Sequence, residues 1–312
     1  MAQHGAGLAK QPVIVTGAQG FIGRHVCAAL GPRAIPLSVR YGAPIADRLI
    51  AAIGSQQPAA IIHLGGWAHR PDWNAVSAEQ AYRNHNALLT HHLAQAGLTI
   101  GIRRFVFAST IGVMGSRSRG RPLTAGDPDE PDTIYASSKA AAEGALTALV
   151  PAGLAPVIVR PPLVYGAGAP GNLRRLASAI QRGVPLPLGA IRTNRRSLMN
   201  VWDLADLLVL AADAPTPRPG PFLAADLVPV STCALAVALG HAIGRPVRLI
   251  SVPIPLLRLA GGLAGRSRMI GQLVDDLEID ASETQRFFGW TPTRGLQEGL
   301  VAFSRAHVDT PD

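Results

Sequence analysis

Tyr135 and Lys139 bracket the stretch Tyr-Ala-Ser-Ser-Lys, a spacing that puts both side chains on one face of a helix. A phenol with its ordinary pKa of about 10 is a weak base near neutrality. An ammonium beside it favours the phenolate and is expected to lower that pKa. The pair can then take a proton from a substrate oxygen or return it. A third group closes the apolar run Phe107-Ala-Ser-Thr110, which reads as a strand end. The Thr110 hydroxyl is expected beside the phenol, bonded to the oxygen that gains or loses the proton. A loop of 24 residues separates it from Tyr135. Composition also singles out the lysine: of 29 basic side chains, only Lys10 and Lys139 are not arginine. A lysine can be tuned and can shuttle a proton, whereas a guanidinium stays charged.

A second constellation suits a dinucleotide. The apolar run Val13-Ile-Val-Thr16 leads into Gly17, Gly20 and Gly23, spaced as Gly-Ala-Gln-Gly-Phe-Ile-Gly, and then into a helical pattern. The first glycine permits a tight turn. The second lets backbone amides approach a pyrophosphate, and the third lets helix and strand pack closely. Gly17, Gly20, Phe21, Ile22 and Gly23 are therefore assigned to the cofactor. The next strand ends Ser38-Val39-Arg40 with no acid to hold a ribose 2′-hydroxyl. Arg40, with Arg24 expected nearby, favours NADP(H), with NAD(H) left open.

These groups need a scaffold that brings strand ends together. Strands are expected at 12–16, 34–39, 59–64, 105–109 and 156–160, with helices at 23–30, 46–53, 78–96 and 135–149. Such alternation predicts an α/β fold, a doubly wound parallel sheet of Rossmann type, which binds ligands at the carboxyl ends of its strands. Beyond Tyr165 glycine and proline rise, and helices are expected at 173–180, 204–212, 233–243 and 255–263. The predicted organisation is a tail over 1–10, a dinucleotide-binding domain over 11–166 and a smaller, mainly substrate-binding region over 167–312, part of which returns to the sheet.

The strings VTGAQGFIG, IIHLGG, FASTIGVMG, YASSK and RPPLVYG together resemble the extended short-chain dehydrogenases, the NAD-dependent epimerase/dehydratase family, from Val13 to about Leu300. The resemblance implies that Thr110, Tyr135 and Lys139 are the catalytic trio. It implies that Leu64, Gly65, Gly66 and the backbone around Pro162 line the cofactor, and that Asn86 is the family's structural asparagine. Two further stretches, Gly171-Asn172-Leu173 and Asn194-Arg195-Arg196, resemble the nucleotide-sugar branch, where Asn172 and Arg196 would meet a substrate diphosphate. Asp203, in the same stretch as Arg196, reads as a helix N-cap. The family's 4,6-dehydratases carry an Asp-Glu pair after the catalytic threonine; here Ile111 and Gly112 follow Thr110, which argues against dehydration. A reductase of a nucleotide-linked 4-keto sugar is the leading expectation. A UDP-sugar 4-epimerase is the alternative, and an NADP-binding sensor without turnover a further one. By resemblance, two copies are expected to pair as a homodimer.

The remaining features narrow the classes. The 312-residue chain is 48% hydrophobic and 16% charged, so it buries a substantial core. Its net charge of +9 comes without a basic run or a nucleic-acid motif, and no nucleic-acid partner is expected. The apolar run Val252–Ala264 spans 13 residues and is broken by Arg258, too short to cross a membrane. Cys27 and Cys233 lack metal-ligand spacing, no metal is expected, and a reduced, cytoplasmic protein is the simplest reading. His91 and His92 read as surface residues. Trp67, His69 and Trp73 are candidate walls of a substrate pocket. Arg117, Arg119 and Arg121 are expected to be solvated or to meet a phosphate.

Overall fold

A computed structural model describes residues 10–68 and 75–308. Its centre is a six-stranded, wholly parallel sheet in the order β2-β1-β3-β4-β5-β8. The strands are β1 (Val13–Thr16), β2 (Ala34–Leu37), β3 (Ala60–His63), β4 (Arg104–Ala108), β5 (Ala155–Arg160) and β8 (Gly220–Leu223). Runs such as Val-Ile-Val-Thr and Ala-Ile-Ile-His are apolar on both faces because helices cover both.

Alternation along the strands sorts two cores. Val13, Val15, Ile62, Val106 and Val157 meet α1 (Phe21–Leu30) and α7 (Val201–Asp213) on one face. Ile14, Ile61, Phe105, Phe107 and Ile158 meet α2 (Ile45–Ile53), α4 (Leu89–Thr99) and α5 (Ile134–Thr147) on the other. The edge strands β2 and β8 carry Pro36 and Pro221, residues that cannot donate to a further strand and so blunt the edges.

The long helix expected at 78–96 is present but not uniform. It runs as α3 (Ala75–Tyr82), a π-helical stretch Arg83–Leu88, and α4. The widened turn carries the buried Asn86. His69 and Trp73 lie outside the described residues.

The chain after β5 supplies a second layer. β6 (Leu163–Tyr165) and β7 (Leu198–Asn200) form a small parallel pair. α6 (Asn172–Gln181), α8 (Thr232–Ile243) and α12 (Leu296–Val308) pack around Tyr165, Leu173, Leu239 and Phe303. α9 (Ile254–Leu263) and α10 (Ser267–Val274) form a hairpin, and α11 (Ser282–Phe288) packs on β8. Asp203 does not cap α7. Asn200 does, accepting from the Trp202 amide at 3.0 Å, while Asp203 is buried against the Arg294 guanidinium at 2.8 Å.

Candidate active site

The strand order reverses between β1 and β3, and the crevice between their carboxyl ends is where an open α/β sheet takes a ligand. The two loops there touch. A Cβ on Gly17, whose φ is +71°, would stand 2.8 Å from the Gly65 amide. A Cβ on Gly23 would stand 2.1 Å from the Gly17 carbonyl, so α1 can approach β1 this closely only with glycine. Gly20 caps α1 without a side chain, so no capping hydrogen bond from that residue occupies the first-turn amides. That cradle fits the pyrophosphate of a nicotinamide dinucleotide, with the helix dipole adding attraction. Phe21 and Ile22 pack into the Tyr165 and Val13 clusters respectively, so the contribution open to them is their backbone. Leu64 packs on the Val13 cluster, and Pro162 is buried at the end of β5.

Arg40 is exposed beyond β2, which ends at Leu37 and not at Val39. The Arg24 guanidinium lies over the Gly168 turn, 2.9 Å from where a Cβ there would be. The second cation at this strand end is Arg48, on the first turn of α2, whose Nη1 donates to the Ser38 carbonyl at 3.2 Å. Sequence reading passed over Arg48 because a helix position nine residues past Val39 has no local link to a strand end.

α5 is launched by Thr133, whose hydroxyl accepts from the Ala136 amide at 3.0 Å. The cap sets Tyr135 in the first turn and Lys139 one turn on. Lys139 is 4% exposed; its Nζ donates to the Ala108 carbonyl at 2.6 Å and sits 3.9 Å above the Phe107 ring. Thr110 follows that same strand and is half-buried, its hydroxyl accepting from the Gly112 amide at 3.1 Å. A Cβ on Gly66 would come within 3.1 Å of Asn86 Oδ1 and 3.9 Å of Lys139 Nζ, so the β3 loop reaches the lysine.

Asn86 ties these parts together. Its Oδ1 accepts from the Trp67 amide at 2.7 Å, and its Nδ2 donates to the Trp67 carbonyl at 3.0 Å and to Ser138 Oγ at 2.8 Å. Ser138 in turn donates to the Tyr135 carbonyl at 2.7 Å. Trp67 stacks on His85 with centroids 3.8 Å apart, and Tyr82 meets Tyr135 edge-on at 6.3 Å.

The proton affinities differ from the expectation. Burial pushes the Tyr135 phenol up to about 12, with Tyr82 adding to the rise. Burial pushes Lys139 down to about 7, while Glu143 pulls the other way. Desolvation disfavours both charged forms, so among protein groups alone Lys139 does not lower the phenol below its ordinary value. His63, at the end of β3, is held down to about 3 by burial and by Lys139, and is neutral at physiological pH. Its ring bridges Thr16 Oγ1 at 2.5 Å and Thr90 Oγ1 at 3.1 Å.

Glu143, one turn beyond Lys139, is a component the YxxxK pattern did not reveal. It is buried, accepts from the Ser109 hydroxyl, and takes Arg160 Nη2 at 2.5 Å and Arg160 Nε at 3.1 Å. Arg160 also pairs with Asp129 at 2.8 Å. Burial works against the Arg160 charge, and Glu143 and Asp129 together outweigh it. Extending the Tyr135–Lys139 face by four residues was the signal that could have found Glu143.

A charged cleft of about 420 Å³ adjoins the loop after Thr110, lined among others by Met114, Arg117, Asp132, Arg258, Arg268 and Asp275. Arg196 is tied to one residue of its wall. Its Nη1 donates to the Asp275 carbonyl at 2.9 Å, while Arg258 pairs with the Asp275 carboxylate at 2.6 Å. Burial lowers the Arg196 pKa, with Asp275 and Asp276 opposing. Asn172 is exposed on the first turn of α6, which Gly171 caps; among the described residues no hydrogen bond links it to Arg196. Arg119 and Arg121 are matched by Glu130 and Asp127.

Comparison with known proteins agrees with this geometry. The family model "NAD dependent epimerase/dehydratase family" matches residues 13–222. The chain is 31% identical over 312 residues to a UDP-glucose 4-epimerase of Vibrio cholerae, covering 95% of each. Its fold is similar to that of UDP-glucuronic acid 4-epimerase from Bacillus cereus in complex with NAD (TM-score 0.75, 18% identity, 96% and 99% of the two chains). It is similar also to that of RMD from Pseudomonas aeruginosa complexed with NADPH (TM-score 0.73, 20% identity, 95% and 99%). The chain therefore belongs to the NAD-dependent epimerase/dehydratase family of extended short-chain dehydrogenases.

Proposed function

We propose that the chain is an NAD(P)-dependent enzyme acting on nucleotide-diphosphate sugars, and that its reaction is inversion at C4 of a UDP-sugar. The observation that carries this is the 31% identity to a UDP-glucose 4-epimerase over 95% of both chains. The reductase expectation moves to second place. The Gly17–Gly23 cradle would hold the nicotinamide cofactor, which would supply reversible hydride exchange at the sugar carbon. Tyr135 takes the proton of the C4 hydroxyl and returns it to the same oxygen after the opposite face is presented. Thr110 holds that oxygen, and Lys139 stabilises the phenolate. Arg196 and Arg258, gathered at Asp275, are suited to the diphosphate oxygens, which a guanidinium fork can meet in pairs. With Ile111 and Gly112 after Thr110, no carboxyl follows to drive loss of water.

The second reading, an NADPH-dependent reductase of a 4-keto sugar nucleotide, is favoured by Arg40 and Arg48 at the end of β2, which suit a 2′-phosphate. One experiment separates the two. The protein is incubated with UDP-glucose, UDP-N-acetylglucosamine or their C4 epimers, with and without NAD⁺, and separately with a 4-keto sugar nucleotide and NADPH, and the products are resolved by NMR. Interconversion without net change in nicotinamide absorbance supports the epimerase. Stoichiometric consumption of NADPH by a 4-keto sugar nucleotide, with no epimer formed, overturns it in favour of the reductase.

A further inference from the structure

The α9–α10 hairpin is apolar on the wrong side for a core helix. Leu257 and Gly261 of α9 face inward, and a Cβ on Gly261 would lie 2.4 Å from Ile270 Cγ1 of α10. This close approach fixes the rotation of α9. The opposite face then presents Leu256, Leu259 and Leu263, which share one stripe at helical spacing and are 54%, 61% and 84% exposed. Met269 on α10 adds to the exposed apolar surface at 47%. The fold leaves most of this stripe uncovered, as a surface that meets something else is.

The charge around it says what. Between Ile254 and Val274 there is no Asp or Glu, while Arg258, Arg266 and Arg268 all lie in that span. Arg258 is matched by Asp275, whereas Arg266 and Arg268 bracket the hairpin tip next to Leu263 and Met269. Arg268 donates to the Asp132 carbonyl across the charged cleft, which leaves Arg266 as the exposed cation at the hairpin tip. The chain as a whole carries +9. Exposed leucines followed by Arg266 in a span without Asp or Glu, on a helix too short to cross a membrane, match an element that lies in the interface of an anionic bilayer.

We propose that the α9–α10 hairpin is a docking element that seats this protein on the surface of an anionic lipid bilayer. Leu256, Leu259 and Leu263 enter the headgroup–acyl boundary, and Arg266 meets a lipid phosphate, with the chain's net positive charge adding longer-range attraction. Arg258, Arg268 and Asp275 of the same hairpin region line the charged cleft, so docking would hold the mouth of the cleft near the membrane plane.

The test is sedimentation of the full-length protein with vesicles of phosphatidylglycerol and phosphatidylcholine in equal parts, and with phosphatidylcholine alone. The expected result is binding to the mixed vesicles, weakened by high salt and by removal of phosphatidylglycerol. Leu259→Ser/Leu263→Ser should weaken it about tenfold or more, with an unchanged circular dichroism melt. Failure of the wild type to bind the mixed vesicles overturns the proposal. So does undiminished binding of the folded double variant, which would mean attraction by charge alone. So, too, does a concentration-dependent dimer in light scattering that the double variant dissolves while vesicles remain unbound, because a second copy would then cover the stripe. The readout is partition and not turnover, so it stands or falls separately from the epimerase reading.

Discussion

On α5 the charged groups Lys139 and Glu143 are almost entirely buried, whereas on the hairpin side of the cleft the Arg258 side chain is 52% exposed. Both regions are rich in ion pairs, yet they use charge differently. The buried side displaces proton affinity: Lys139 falls to about 7 and Tyr135 rises to about 12. The exposed side keeps guanidinium charge in water, where each pair is screened and the sum of several is what attracts an anion. Under the proposed function, the groups that exchange and stabilise the proton are the ones whose affinities burial sets. Under the proposed function Arg258 stays solvated until a diphosphate arrives, while Arg196, on the same Asp275, is already partly desolvated.

The comparison breaks most decisively at Tyr135. Tyr135→Phe is expected to lower kcat by about 10³-fold with little change in cofactor affinity; near-normal turnover in a steady-state assay would remove the phenol from the chemistry. Glu143→Gln leaves Arg160 short of its closest buried partner and should cost about 3 kcal/mol of stability by denaturant unfolding. The double variant Glu143→Gln/Arg160→Met should recover part of that loss, because the two groups act as a unit.

A third prediction concerns His63. Below its ordinary pKa of about 6.5 the unfolded chain binds a proton that the folded chain refuses until about pH 3. Its contribution should therefore fall with acidity, by about 1.4 kcal/mol for each pH unit below 6.5, and a folded His63→Asn variant should lose that slope. Smaller again, Arg40→Ser/Arg48→Ser should reduce the NADPH-to-NADH ratio of kcat/KM by about tenfold, and an unchanged ratio would remove both arginines from cofactor choice. At the bottom of the scale, Arg195→Ala should leave the melting temperature within error, because its bond to Glu278 is solvent-exposed. A clear drop would blur the contrast between the two regions.

The sheet was legible because apolar runs and glycine spacing are local properties. The expected strands near 13–16, 60–63, 104–108 and 155–160 all form, and Gly17 and Gly23 sit where a Cβ would collide with backbone. The helix carrying Tyr135 and Lys139 was equally legible, since i and i+4 share a face whatever the rest of the chain does. The π-helical turn at Arg83–Leu88 was not, because hydrophobic periodicity hardly registers one widened turn. Asn200 in place of Asp203 as the cap of α7 was missed because β7 runs directly into the helix and moves its start by three residues.

By itself the sequence determined the parallel sheet, the glycine cradle and the phenol–ammonium pair, all of which follow from spacings of a few residues. Tertiary structure alone decided that Arg160 meets both Glu143 and Asp129, that Arg196 and Arg258 converge on Asp275, and that Arg48 reaches the strand end that leads to Arg40. The first two arrangements join segments distant in the chain, and packing decides them. It also decided the proton affinities, because a pKa depends on how much water the fold removes from a group, and no local pattern states that.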